Sequence, residues 1–138
     1  TAVVVGALRA AGYEPEVIAS PLPREEFLGR IAAAEVVLFL PLAEEGCFLP
    51  ALEAFALGSL VVCPDCVGNR QFCRDGDTCL RPDHAPASLV AAVGQAMIMT
   101  AIERERMVAA ARAEVGTRGL DREKRAFLAI LDDLERSW

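Results

Sequence analysis

The stretch "EEGCFLPALEAF" (residues 44–55) sets two carboxylates, Glu45 and Glu53, on either side of Pro50 in the most apolar part of the chain. Pro50 has no amide donor and clashes with a preceding helical turn, so one helix over the whole stretch is excluded. Glu45 is therefore expected in a loop, and Glu53 in a helix that opens at Pro50. The free N–H groups of such a helix start, with its partial positive charge, suit an anion such as a diphosphate. Glu53, one turn in, can accept two hydrogen bonds from the vicinal diol of a ribose, and Gly46 lets the backbone approach a ligand closely. The pattern fits a nucleotide sugar. It also fits a solvated loop acid followed by an acid on an exposed helix face.

Alternating strands and helices must position these residues. "TAVVVGALRAAG" reads as a helix stopped by Gly12, although its three consecutive valines also suit a strand. "EPEVIAS" reads as a strand and "PLPREEFLGRIAAA" as a helix with Pro23 near its first turn. "EVVLFLP" is a near-continuous apolar run, as expected of a central parallel strand buried on both faces. "PALEAFALG" is a short helix stopped by Gly58, and "SLVVC" is the next strand. Turns follow, then helices near residues 87–99, 101–115 and 121–136, the last with Asp121 as its cap. The expected fold class is α/β, an open Rossmann-like parallel sheet flanked by helices. In such sheets ligands sit outside the carboxyl ends of the strands, which places the candidate site at the loop from Ala43 to Leu49.

The segment "EGCFLPALEAFALGSLVVCPDCVGN" resembles the donor-binding segment of the large retaining family of GT-B glycosyltransferases with an E-x7-E motif. Glu45, Gly46, Leu49, Pro50, Leu52, Glu53, Ala54, Ala56, Gly58, Val61 and Val62 match that family's pattern in register. Downstream, "RDGDTCLRPDHAPASLVAAV" is similar to its D-G-x-x-G-x-L-x-x-P-x-D segment and the following helix. The resemblance runs from about residue 16 to the end of the chain. It implies that Glu53 holds the donor ribose and that Glu45, the catalytic candidate, contacts the transferred sugar. The backbone of Gly46, Cys47, Phe48 and Leu49 would line sugar and diphosphate, with Gly68 and Asn69 contributing from the next loop. The implied reaction is metal-independent sugar transfer with retention at the anomeric carbon, with no cofactor besides the nucleoside-diphosphate sugar itself.

Several positions depart from the pattern. Cys47 replaces an aromatic, and Phe48 replaces a glycine, where its ring is expected to crowd the ligand. Leu42 stands for a serine, Val67 for a glycine, Gln71 for an acid and Cys79 for a glycine. The family's phosphate-binding Arg and Lys lie upstream of the matched region, and its acceptor-binding domain lies earlier still. Arg70 and Arg74 are the cations left to consider, and both also read as ordinary loop charges. The chain thus reads as the C-terminal, nucleotide-sugar-binding half of a two-domain enzyme, with the acceptor held mainly by an N-terminal domain, and inactive alone. The alternative is a non-catalytic glycosyltransferase-like interaction domain.

The totals agree with this class. The 138 residues suit one domain with a sizeable core, and 54% hydrophobic with 25% charged residues excludes disorder. Net charge is −6 and the basic residues are scattered, which argues against nucleic acid. No apolar run reaches the roughly 20 residues of a membrane span, and no secretory signal is visible. The chain opens on Thr1 rather than Met, as a processed protein or an excised piece would. A mean hydropathy of +0.33 fits either a core rich in alanine and valine or a face made for a partner domain.

Cys63, Cys66, Cys73 and Cys79 form C-x2-C-x6-C-x5-C, a spacing that a small zinc module could share. Two further cysteines and a basic run are missing for the DNA-binding version. Cys63 ends an apolar strand, so ordinary buried thiols in a reducing cytoplasm are expected. His84 is the only histidine and reads as a surface loop residue; no nucleophile elbow accompanies it. "ERERM" and "DREKR" read as solvated helix faces, and Phe127, Leu128, Leu131 and Leu134 as core at helical spacing.

Overall fold

Proline and glycine punctuate this chain, and the elements fall between them. The computed structural model describes residues 1–136, apart from the side chains of Leu120, Ala126 and residues 133–135. In chain order the elements are α1 (Ala2–Ala10), α2 (Arg24–Ala33), β1 (Val36–Leu38), α3 (Leu49–Leu57), β2 (Leu60–Val62), a 3-10 turn (Val67–Asn69), α4 (Pro86–Ile98), α5 (Ala101–Gly116) and α6 (Leu120–Arg136). The "VVV" segment is helical. α1 ends as Gly12 takes φ 89°, a conformation that costs glycine little. α3 starts one residue before Pro50 and closes on Gly58 at φ 83°, a left-handed cap. α5 opens on a reciprocal cap in which Thr100 and Glu103 each accept from the other's amide. α6 begins at Leu120, so Asp121 lies in its first turn rather than capping it.

β1 and β2 pair in parallel, Val36 with Leu60 through Leu38 with Val62, and Leu80 adds a one-residue parallel bridge beside Val62. β2 is therefore the central strand, and its residues are all buried. Side chains alternate across it. Leu60 and Val62 enter a core with α1 and α4, whereas Val61 and Cys63 enter a second core with Ala54, Phe55, Phe72 and Ala111. The result is an α/β arrangement with helices on both faces of a small parallel sheet.

Three expectations are corrected. β1 is not the central strand: its residues are half-buried, and among the described residues it pairs only with β2. "EPEVIAS" is not a strand. Pro15 cannot donate to a ladder, Val17 and Ile18 stay exposed, and a cavity of about 610 Å³ separates this segment from β1. Phe127, Leu128 and Leu131 are not core; they and Ile130 form an exposed apolar face on α6. Helical spacing marks a face, not what covers it. The expectation for the Leu134 side chain lies outside the described residues. No single described helix is long and apolar enough to cross a membrane.

Candidate functional site

The parallel order of β1 and β2 fixes which ends of the neighbouring helices share one edge of the sheet. α3 leaves the carboxyl end of β1, and α2 runs into the amino end of β1. The N-termini of both helices therefore lie at the carboxyl edge, with the loops that follow β1 and β2.

Those two loops are clipped together. The Val67 amide donates to the Ala43 carbonyl at 3.0 Å, the Gly68 amide to Glu45 O at 2.9 Å, and the Phe48 amide to Gly68 O at 3.4 Å. A β-carbon on Gly68 would fall 0.9 Å from the Gly46 carbonyl oxygen and 2.9 Å from the Cys47 nitrogen, so only glycine fits there. The 3-10 turn that presents Gly68 is itself held from inside. Asn69 is fully buried; its Oδ1 accepts from the Cys66 amide at 3.1 Å, and its Nδ2 donates to Pro64 O at 2.8 Å and to Cys63 Sγ at 3.3 Å. Asn69 shapes the loop and has no side-chain donor left to offer.

The clip decides which groups face solvent. Residues 42–46 border an open cavity of about 560 Å³, with Glu45 half-buried and Gly46 and Cys47 exposed. The amides of Phe48 and Leu49 are taken, the latter by Cys47 O at 3.0 Å. Those of Gly46 and Cys47 have no partner among the described residues. Phe48 does not project into the cavity. It turns inward and meets Phe39 edge to face, with ring centroids 5.5 Å apart. Leu49 is exposed at the start of α3.

Glu53, on the second turn of α3, is only 18% exposed, and its Oε1 receives the Arg24 guanidinium at 2.6 Å. Arg24 had no place among the sequence candidates, because nothing local links the start of α2 to the second turn of α3. The arginines that did are engaged elsewhere. Arg70 forks onto Asp65, with Nε and a terminal nitrogen both on Oδ2 at 3.0 and 2.7 Å. Arg81 also reaches Asp65. The Arg70 guanidinium, then Arg81 and His84, hold the Asp65 carboxyl below its usual range. Arg74 is shared between Asp77 and Glu114. His84 is an exposed loop residue whose Nε2 meets Asp65 O at 2.8 Å.

Cys63, Cys66, Cys73 and Cys79 are buried free thiols. Among the described residues no group of three His, Cys, Asp or Glu side chains is arranged to hold a metal ion. The Cys73 thiol is pushed up first by its contact with Cys63 and then by Cys79, while the same contact holds Cys63 low. Burial pushes Cys66 up. Cys47 alone is exposed.

A comparison with curated proteins finds no match. The family model of the group 1 glycosyl transferases matches residues 3–98, which take in both clipped loops, Arg24, Glu53 and the parallel strands. Over that span, most of its 138 residues, the chain belongs to the group 1 glycosyl transferases.

Proposed function

We propose that this chain is the donor-nucleotide-sugar half of a retaining GT-B glycosyltransferase. Glu53 takes the ribose diol, Glu45 faces the transferred sugar, and the Gly46 and Cys47 amides receive donor oxygens. The observation that carries this reading is the loop clip. It holds Glu45 and Gly46 on the border of an open cavity, with the Cys47 amide and the start of α3 following directly in the chain, at the carboxyl edge of a parallel sheet, where ligands of such folds sit. Gly68 belongs to the site as the residue that permits the close approach, and Asn69 as its internal brace. In this reading no resident metal takes part, and the loop amides offset part of the charge of the departing diphosphate. The acceptor is held by a separate N-terminal domain, and the whole enzyme works in the cytoplasm.

A second reading, a non-catalytic interaction domain, draws on two observations. Arg70 and Arg74 are tied up by acids, and α6 carries an uncovered apolar face.

Titration of the isotope-labelled chain with UDP, GDP, ADP and their sugar conjugates separates the two. The donor reading expects saturable amide shifts across residues 44–58 for one nucleotide, lost in Glu53→Ala. Absence of shifts with every nucleotide at millimolar concentration would overturn it for this chain.

A further inference from the structure

We infer that Arg24 is a donor-site residue: it supplies the counter-charge that lets the Glu53 carboxylate bind a ribose beside a diphosphate. The inference rests on the donor reading above and extends it to a residue outside the matched E-x7-E pattern.

Three observations carry it. First, Arg24 is the opening residue of α2, the end at which a cation opposes the helix dipole, so the stability of its own helix does not account for it. Among the described residues its carboxylate partner is Glu53, 2.6 Å away. Second, the two partners are unequally placed. Arg24 is 73% exposed and Glu53 18%, so the guanidinium covers the carboxylate from the solvent side and moves at little cost. Third, the arginines of residues 65–81 are held by Asp65, Asp77 and Glu114. Arg24 is the cation whose partner is the ribose-binding acid itself.

Charge balance then sets its role. A carboxylate that accepts a ribose diol keeps its negative charge, and a diphosphate bound nearby adds more. Without a cation the two repel in a partly desolvated site. With Arg24 present, the guanidinium moves from pairing with Glu53 alone to a position between Glu53 and the diphosphate. No bond is made or broken; only hydrogen-bond partners are exchanged.

The prediction concerns discrimination between a nucleoside diphosphate and its nucleoside. Arg24→Ala is expected to weaken binding of the preferred diphosphate about fivefold, with the nucleoside changed less than twofold. Arg24→Lys should restore most of the loss, and diphosphate binding should depend less on salt in Arg24→Ala than in the parent. Diphosphate binding that is unchanged or tighter in Arg24→Ala overturns the inference while leaving the donor reading intact. So does equal weakening of both ligands, which would mean that Arg24 only holds Glu53 in position. If the nucleoside binds too weakly to titrate, the salt dependence decides. Failure of the parent chain to bind any diphosphate removes the donor reading itself, and this inference with it.

Discussion

Gly68 and Gly46 touch backbone to backbone, so closely that the Gly46 carbonyl oxygen lies 0.9 Å from where a Gly68 β-carbon would be. The contact joins the loop after β1 to the loop after β2, and it exists only because Gly68 carries no side chain; a β-carbon on Gly46 would meet nothing within 4 Å. Gly68→Ala must therefore push the loops apart or distort the 3-10 turn. The expected cost is about 3 kcal/mol in urea unfolding. A loss below about 0.5 kcal/mol would show that the loops part freely. Even a folded Gly68→Ala variant should lose nucleotide-dependent amide shifts, since Glu45 O and the Phe48 amide are the other halves of the clip.

Glu114 gathers Arg74 and Arg118, each at 2.7 Å, and is only 13% exposed. The Arg74 guanidinium, ahead of Arg118, holds its carboxyl below the ordinary value of 4.5. A carboxyl lowered in the folded state adds stability that is fully present above its unfolded value. That stability drains as pH falls from there through the folded value. Both arginines are partly in water, so Glu114→Gln should cost about 1 kcal/mol at neutral pH after screening. Urea unfolding of parent and variant should show the gap shrinking below about pH 4.5 and closing in stronger acid. A gap that is constant with pH would mean that the ion pairs contribute nothing.

Thiol counting checks the buried cysteines directly. Of the five cysteines only Cys47 is exposed. A disulfide-exchange reagent should modify one thiol rapidly in the native chain and the other four only on unfolding. Cys47→Ser should abolish the fast phase. Two or more fast thiols would contradict the packing around Cys63, Cys73 and Cys79.

What the sequence discloses is what is local. Pro50 and Gly58 bracket α3 because a missing donor and a left-handed residue act within one turn. α1 reads correctly as a helix for the same reason, with Gly12 closing it. Strand order is not local. "EVVLFLP" and "SLVVC" are both apolar, and nothing in either run says that β2 has neighbours on both sides while β1 has one. The stripe on α6 announces an apolar face without saying whether this chain covers it. The site divides in the same way. Glu45, Gly46 and Glu53 stand out by spacing, whereas the Arg24–Glu53 pair and the Gly68–Gly46 contact arise only when distant segments meet. The inward turn of Phe48 is of this kind too, because it needs Phe39 at the end of β1.

The loop clip also has a kinetic side. Its hydrogen bonds join segments separated by all of α3 and β2, so none can form until that crossover has docked and β1 and β2 have paired. The two loops are therefore expected to order late in folding and to open before β2 does. Amide exchange at Val67 and Gly68 should report one shared opening event, distinct from the slower exchange of buried β2. In the donor reading the site is complete only while the clip is closed, so this local equilibrium, rather than the stability of the fold as a whole, sets the fraction of chains ready to bind.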